Sequence, residues 1–324
     1  TTSPDKVVAA RAAAIQKQID DDYGTVFART AYELNGAKAP NGNRDGETNL
    51  GDLITDALIW GARQNGEAVD AAVTNGGGIR ATIKAGDITK KDINTVLPFG
   101  NTLSIVKVTG AELLEALEAS TYCTPDALGG FPQVSGIAFT VDTTKTYDAG
   151  SLYPDSTYHA PKSINRVTIQ SVGGKPFDAK AVYTIATNDF MAAGGDTYYA
   201  FKTASANYDI GVPMDEVLMD YITTELKGVV GDTYAKPQGR ITVVKAAAPA
   251  EEPAKPVTPP AVKPAEPAGD GGETSYTVVS GDCLWNISYQ FYGSGAKFTR
   301  IASANGLKPP YLINIGQVLV IPAA

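Results

Sequence analysis

Residues 246–273, AAAPAEEPAKPVTPPAVKPAEPAGDGGE, constrain the fold more than any other stretch, with seven prolines, both charge signs and no aromatic residue. Such a segment buries too little apolar surface to offset the entropy of ordering it, so it cannot belong to a core. Alternating Pro, Ala, Glu and Lys favours an extended spacer of about 3 Å per residue. A chain of 324 residues is therefore expected to divide into a unit at 1–245 and a small module at 274–324, joined by this linker. The larger unit has ample length for a core of its own.

Within it, helix-like and strand-like patterns alternate. NLGDLITDALIWGARQNG places Leu50, Leu53, Ile54, Ala57 and Leu58 on one helical face, with Thr48 or Asn49 as cap and Gly66 beyond the end. In TLSIVKVTGAELLEALEAS a strand at 102–108 runs into a helix whose Thr109 and Glu112 have capping-box spacing. Strands are expected at 136–141, 164–170, 182–187 and 239–244, and an amphipathic helix at 213–227. Several strands follow one another without a helix between them. The fold class is thus α/β (α+β) with a mixed sheet, not a doubly wound parallel one. The N-terminal stretch 1–24 reads as a helix with Ser3 as N-cap and Pro4 at its first position.

A net charge of −8 argues against a nucleic-acid partner, which needs a basic face to release counterions. No apolar run is long enough to span a bilayer, and the N-terminus lacks the order of a signal peptide. The two cysteines, Cys123 and Cys283, fall in separate units, so structural thiols are expected and no disulfide framework. The Asp20 to Asp22 triplet reads as a solvated face.

Candidate chemistry gathers in three turns. NGGGIR (75–80) follows an apolar run, where glycines let backbone N–H groups approach a ligand and Arg80 offers a forked donor; a tight turn with a surface arginine is the other reading. LPFGN (97–101) sets Phe99 in a turn where it is hard to bury. NDFMAAGGDTY (188–198) places Phe190 six residues before Asp196. Two aromatics in turns beside an acid and an arginine suit a nucleoside, although each ring taken alone reads first as a core anchor.

With NRDGETNLGDLITDA (43–57), these motifs resemble, in order and spacing, the C-terminal substrate-binding domain of the 5′-nucleotidase family, over residues 1 to about 245. The resemblance implies a mixed-sheet layered sandwich. It implies that Phe99 and Phe190 stack on the two faces of a nucleobase and that Asp196 binds the ribose hydroxyls. Arg44, three residues before Glu47, and Arg80 would contact ribose and the phosphate side, while Asn75 would reach the base edge. Gly77 and Gly195 would let the backbone close on the ligand. Stacking of about 1–3 kcal/mol per base against association costs of several kcal/mol predicts weak nucleoside binding, on the order of 0.1 to several mM.

Family members hydrolyse phosphate esters with two divalent metals, such as zinc or manganese, on a separate N-terminal metallophosphatase domain. One histidine, His159, cannot supply such a centre, and it reads as an exposed loop residue. No cofactor and no catalytic residue is expected in this chain, whose abrupt start resembles a cut at the domain boundary, before the helix that joins the two domains in the family. Nucleotide binding without hydrolysis is the expectation, with the absent domain as partner. A purely binding surface protein is the alternative, and cyclic nucleotides, dinucleotides or nucleotide sugars are further substrate classes.

Residues 276–322 order a strand, two short helices and a strand, with Asp282 placed to cap the first helix and Leu284, Trp285, Ile287, Phe291, Ile301 and Leu319 available for a miniature core. Tyr276, Gly281, Asp282, Leu284, Trp285, Ile287, Asn305, Gly316, Gln317, Leu319, Ile321 and Pro322 match the pattern of a LysM domain, a βααβ module; Cys283 departs from the usual Thr or Ser. The resemblance implies binding of N-acetylglucosamine-containing glycan such as peptidoglycan, beside Gly281, Asp282, Cys283 and Leu284 and the loop Ala304, Asn305, Gly306 and Leu307. An extracellular, cell-wall-associated location follows.

Overall fold

A computed structural model of the chain describes residues 5–245, 274–278, 284–292, 297–307, 313 and 316–322. They fall into two compact units that divide between residues 250 and 251, inside the proline-rich segment. That segment, the expected caps Ser3 and Asp282, Pro4, and the glycan-side residues Gly281 and Cys283 lie outside the described residues.

The first unit is built on a five-stranded sheet in the order Ala206–Pro213, Thr102–Thr109, Val182–Asn188, Ala71–Asn75, Pro132–Ser135. Only Val182–Asn188 and Ala71–Asn75 run parallel; the other neighbours are antiparallel. Side chains alternate between the two faces of the central strands. Ala72, Leu103, Ile105 and Ala186 join one core with helix Asn49–Gln64, through Leu50, Leu53, Ile54, Ala57 and Leu58. Ala71, Val73, Val106, Val108 and Ile185 join the other, with helix Gly110–Ser120 and with a second sheet, Lys175–Pro176, Val167–Val172, Ile137–Asp142, Ile241–Val244. The result is a layered α/β sandwich with a mixed sheet at its centre.

The helix starts follow the sequence signals. Thr48 is the N-cap of Asn49–Gln64 and accepts from Gly51 N–H at 3.0 Å. Thr109 and Glu112 form the reciprocal capping box. At the N-terminus the helix runs Lys6–Tyr23, and Asp5 Oδ1 accepts from the N–H groups of Val7 and Val8 at 2.8 and 3.1 Å. Asp21 is solvated and paired with Lys17.

Three expectations need correction. The strand placed at 164–170 runs Val167–Val172, and at its entry the N–H groups of Asn165, Arg166 and Val167 all donate to the buried Glu118 carboxylate. The helix placed at 213–227 is α-helical only over Met214–Asp220 and widens over Tyr221–Glu225, where Leu226 N–H bonds Tyr221 C=O at 3.1 Å. His159 is exposed but lies in no loop: it opens strand His159–Ser163, paired with Asp148–Leu152, and its Nδ1 sits 2.8 Å from Gly150 C=O. Exposure on both faces had hidden this hairpin from any hydrophobic period.

In the second unit Thr274–Thr277 pairs antiparallel with Val318–Ile321, and helices Leu284–Tyr292 and Phe298–Ala304 lie between them in sequence. Val278, Leu284, Ile287, Ile301, Ala302, Leu319 and Ile321 form its core.

Candidate functional site

The site grows from strand ends. Ala71–Asn75 finishes in the tight turn Gly76–Gly78, and the neighbouring Val182–Asn188 finishes in the short helix Asp189–Ala192. The parallel pairing of these strands puts both turns at one edge of the sheet. There Arg44, Asn75, Gly77, Arg80, Phe99, Phe190 and Asp196 line a single cleft of about 530 Å³. Gly78, of the NGGGIR turn, completes its lining with Asn101 and Gly129, and neither of the last two is singled out from sequence.

Phe99 is 59% exposed and Phe190 43%, so neither ring is spent on the core. Both rings give the cleft flat apolar surface. Arg80 lies over the Phe99 ring, with its guanidinium carbon 5.6 Å from the centroid, and donates to Gly77 C=O at 3.2 Å. Arg44 is held by its backbone, which donates to Lys38 C=O and accepts from Leu128 N–H. Its Nε is buried without a hydrogen-bond partner. Burial first, and the charge of Arg80 second, pull the Arg44 guanidinium below its ordinary value. Two cations facing one cleft, one with a donor unsatisfied, favour an anion between them.

In the same cleft Asn75 Nδ2 donates to Asp196 Oδ2 at 3.0 Å. Burial raises the Asp196 carboxyl above the usual carboxylate range, opposed by this hydrogen bond and by the charge of Arg44. Asp196 adopts φ +52°, a left-handed conformation that Asp tolerates better than most residues, after Gly194 at φ +88°. Asn188 caps the helix bearing Phe190 and also hydrogen-bonds Asn75. An Asn between an apolar strand and a helix start was a legible cap signal.

Gly77 and Gly78 line the cleft, and close backbone packing gives a further reason for glycine at this turn. A Cβ on Gly76 would meet Asn43 C=O at 1.7 Å, and one on Gly77 would meet Gly129 C=O at 2.9 Å. These glycines let three backbone segments pass close together; Gly77 N–H donates to Gly129 C=O at 2.6 Å. Gly195 supports the aromatic wall, since its Cβ would stand 2.5 Å from the Phe190 ring. Glu47 turns away from the cleft and accepts from Ile241 N–H at 2.7 Å.

In the second unit the side chains of the expected glycan residues are partly committed. Leu284 is buried in the core. Asn305 spans to the last strand, donating to Val320 C=O at 2.7 Å and accepting from Val320 N–H at 2.8 Å. Among the described residues of that set, Ala304, Gly306 and the partly packed Leu307 remain for a ligand, with their backbone. Cys123, in the first unit, is half-buried with its thiol pushed up by burial, as suits a structural thiol.

Residues 26–203 match the family model described as 5′-nucleotidase, C-terminal domain, and residues 276–322 match that of the LysM domain. The chain is similar to the trifunctional nucleotide phosphoesterase protein YfkN of Bacillus subtilis, 37% identical over 62% of this chain and 13% of that protein. It is similar to the cell wall protein Lmo0130 of Listeria monocytogenes, 36% identical over 55% of this chain and 21% of that one. Among solved structures it is similar to a 5′-nucleotidase precursor from Thermus thermophilus, with a TM-score of 0.61 and 33% identity over 76% of this chain and 45% of that one. The chain thus spans less than half the length of each of these relatives.

Proposed function

This chain belongs to the family of 5′-nucleotidase C-terminal domains, and from that premise we propose that its cleft recognises the base and ribose of a nucleotide for a secreted phosphohydrolase acting on nucleoside 5′-phosphates. The observation that carries the reading is the convergence of two exposed phenylalanines, two arginines and the Asn75–Asp196 pair on one cleft. Phe99 and Phe190 supply flat apolar faces for the base. Asp196 accepts from the ribose hydroxyls. Arg44, with its unsatisfied Nε, and Arg80 stand for the phosphate side. Asn75 spends one N–H on Asp196 and keeps the other for the base edge.

The described residues offer no ligand set that fits a dinuclear metal centre. The chain has one histidine, and among the described residues no three His, Cys, Asp or Glu side chains converge. Hydrolysis would therefore draw its two metals from a separate metallophosphatase domain, and the chain alone is expected to bind without cleaving. The LysM module would attach the assembly to N-acetylglucosamine-containing glycan of the cell wall; the name of the Listeria relative and the module itself support that reading.

Calorimetric or NMR titration with adenosine and AMP tests the proposal. Saturable binding on the order of 0.1 to several mM is expected, lost in Phe190→Ala and in Asp196→Ala. A folded chain that shows no saturation by about 20 mM would sink it.

A further inference from the structure

Asn188 lies one layer behind the cleft and is 1% exposed. Its Oδ1 accepts from the backbone N–H of Met191 at 2.8 Å. A backbone N–H can only donate, so this contact fixes the orientation of the Asn188 amide. Its Nδ2 then faces Thr74 Oγ1 and Asn75 Oδ1, both at 3.2 Å. With its oxygen taken, Asn75 can present only Nδ2 to Asp196 Oδ2, at 3.0 Å. An ionised carboxylate only accepts. A lone amide can flip with little cost, but this relay has fixed polarity at both ends, and every link between them runs one way.

We propose that Asn188 is a positioning residue that sets the polarity of the Asn75–Asp196 pair and ties it to the helix carrying Phe190, so that ribose hydroxyls are discriminated only while Asn188 donates. The proposal rests on the nucleoside reading of the cleft. Asp196 Oδ1 receives no hydrogen bond from the described residues, and it stays available as an acceptor for a ligand hydroxyl as long as Asn75 holds Oδ2. If Asn75 turned its oxygen toward Asp196, two acceptors would face each other and the carboxylate would have to move or take up a proton.

Asn188→Asp separates this role from mere packing. Asp caps a helix as well as Asn, so the Met191 N–H stays satisfied and Phe190 keeps its place. A carboxylate cannot donate, however, and it invites Asn75 to turn its Nδ2 away from Asp196. The experiment is an NMR titration of the full chain with adenosine and with 2′,3′-dideoxyadenosine. The unaltered chain is expected to bind adenosine about tenfold more tightly, the worth of hydrogen bonds to a charged acceptor. In Asn188→Asp the ratio should fall to about twofold or less, while dideoxyadenosine affinity changes by under about threefold. Should that variant fail to fold, Asn188→Ser keeps a capping oxygen but is too short to reach Asn75, and it should show the same collapse of the ratio. A ratio that survives in the folded variant, or equal loss for both nucleosides, overturns the proposal and leaves the cleft reading standing. No saturable adenosine binding by the unaltered chain overturns both.

Discussion

Gly195 shows how much of this site rests on a missing atom. The Phe190 ring occupies the space a Cβ would need, at 2.5 Å, so the aromatic wall exists only because residue 195 has no side chain. Gly195→Ala is compatible with the backbone there, and the strain falls on the ring. We expect it to lower adenosine affinity about tenfold by displacing one stacking face while shifting the unfolding temperature by under about 2 °C; paired titration and thermal melts check this. At this scale the sequence was informative. Arg44, Asn75, Arg80, Phe99, Phe190 and Asp196 lie far apart in the chain, yet their motif order sufficed to name them together. Asn101 and Gly129 escaped notice because an Asn or Gly in a turn is ordinary until the cleft it borders is known.

Among the elements, the loop that carries Arg44 is held by a strand on the far side of the sheet order. Gln133, fully buried in Pro132–Ser135, donates to Asn43 C=O and Gly46 C=O at 3.2 and 2.7 Å and accepts from Thr48 N–H at 3.0 Å. One side chain thereby satisfies three backbone groups at the entry to helix Asn49–Gln64. Gln133→Leu strands them all in a buried setting, where each unsatisfied group costs about 1–3 kcal/mol. We expect a loss of about 3 kcal/mol or more in chemical unfolding. AMP affinity should drop more than adenosine affinity, because the Arg44 loop loosens. Helix positions and caps were legible from periodicity and Thr-x-x-Glu spacing. The Asp148–Leu152 and His159–Ser163 hairpin was not, since neither strand buries a face.

Across the whole first unit, residues 47–56 are clasped to residues 234–241 by a buried polar network. Arg240 Nη2 bonds both Asp56 oxygens at 2.8 Å, and Tyr234 O–H donates to Asp56 at 2.9 Å. Beside it Asp52 is fully buried, and both its Oδ1 and Glu47 Oε1 lack a hydrogen-bond donor. A proton on Asp52 supplies one. Burial, with the charge of Glu47 and against the pull of Arg240, pushes Asp52 up to about 8. The folded chain therefore holds this proton more tightly than the unfolded one. The stability it contributes is complete below the ordinary carboxylate range near 4 and is lost as pH rises through about 8. Melting temperature should fall by about 5 °C or more between pH 5 and pH 9, and Asp52→Asn should flatten that slope. An unchanged slope in the variant would assign the pH dependence to other groups.

What the sequence determined by itself was local or linear. Proline density between 246 and 273 separated two units, periodicity located the principal helices and strands, and the order of four short motifs picked out residues that line one cleft. Tertiary structure alone decided which strands run parallel, and hence that the turns after residues 75 and 188 share one edge. It decided that Gly76 and Gly77 let one backbone pass close to another, and that Asn188 and Gln133 point where they do. The physical reason is one of range. Capping, turn formation and amphipathicity act over a few residues and leave their mark in spacing. Close backbone approach and the polarity of a buried hydrogen-bond relay depend on partners a hundred residues away, and no spacing records them.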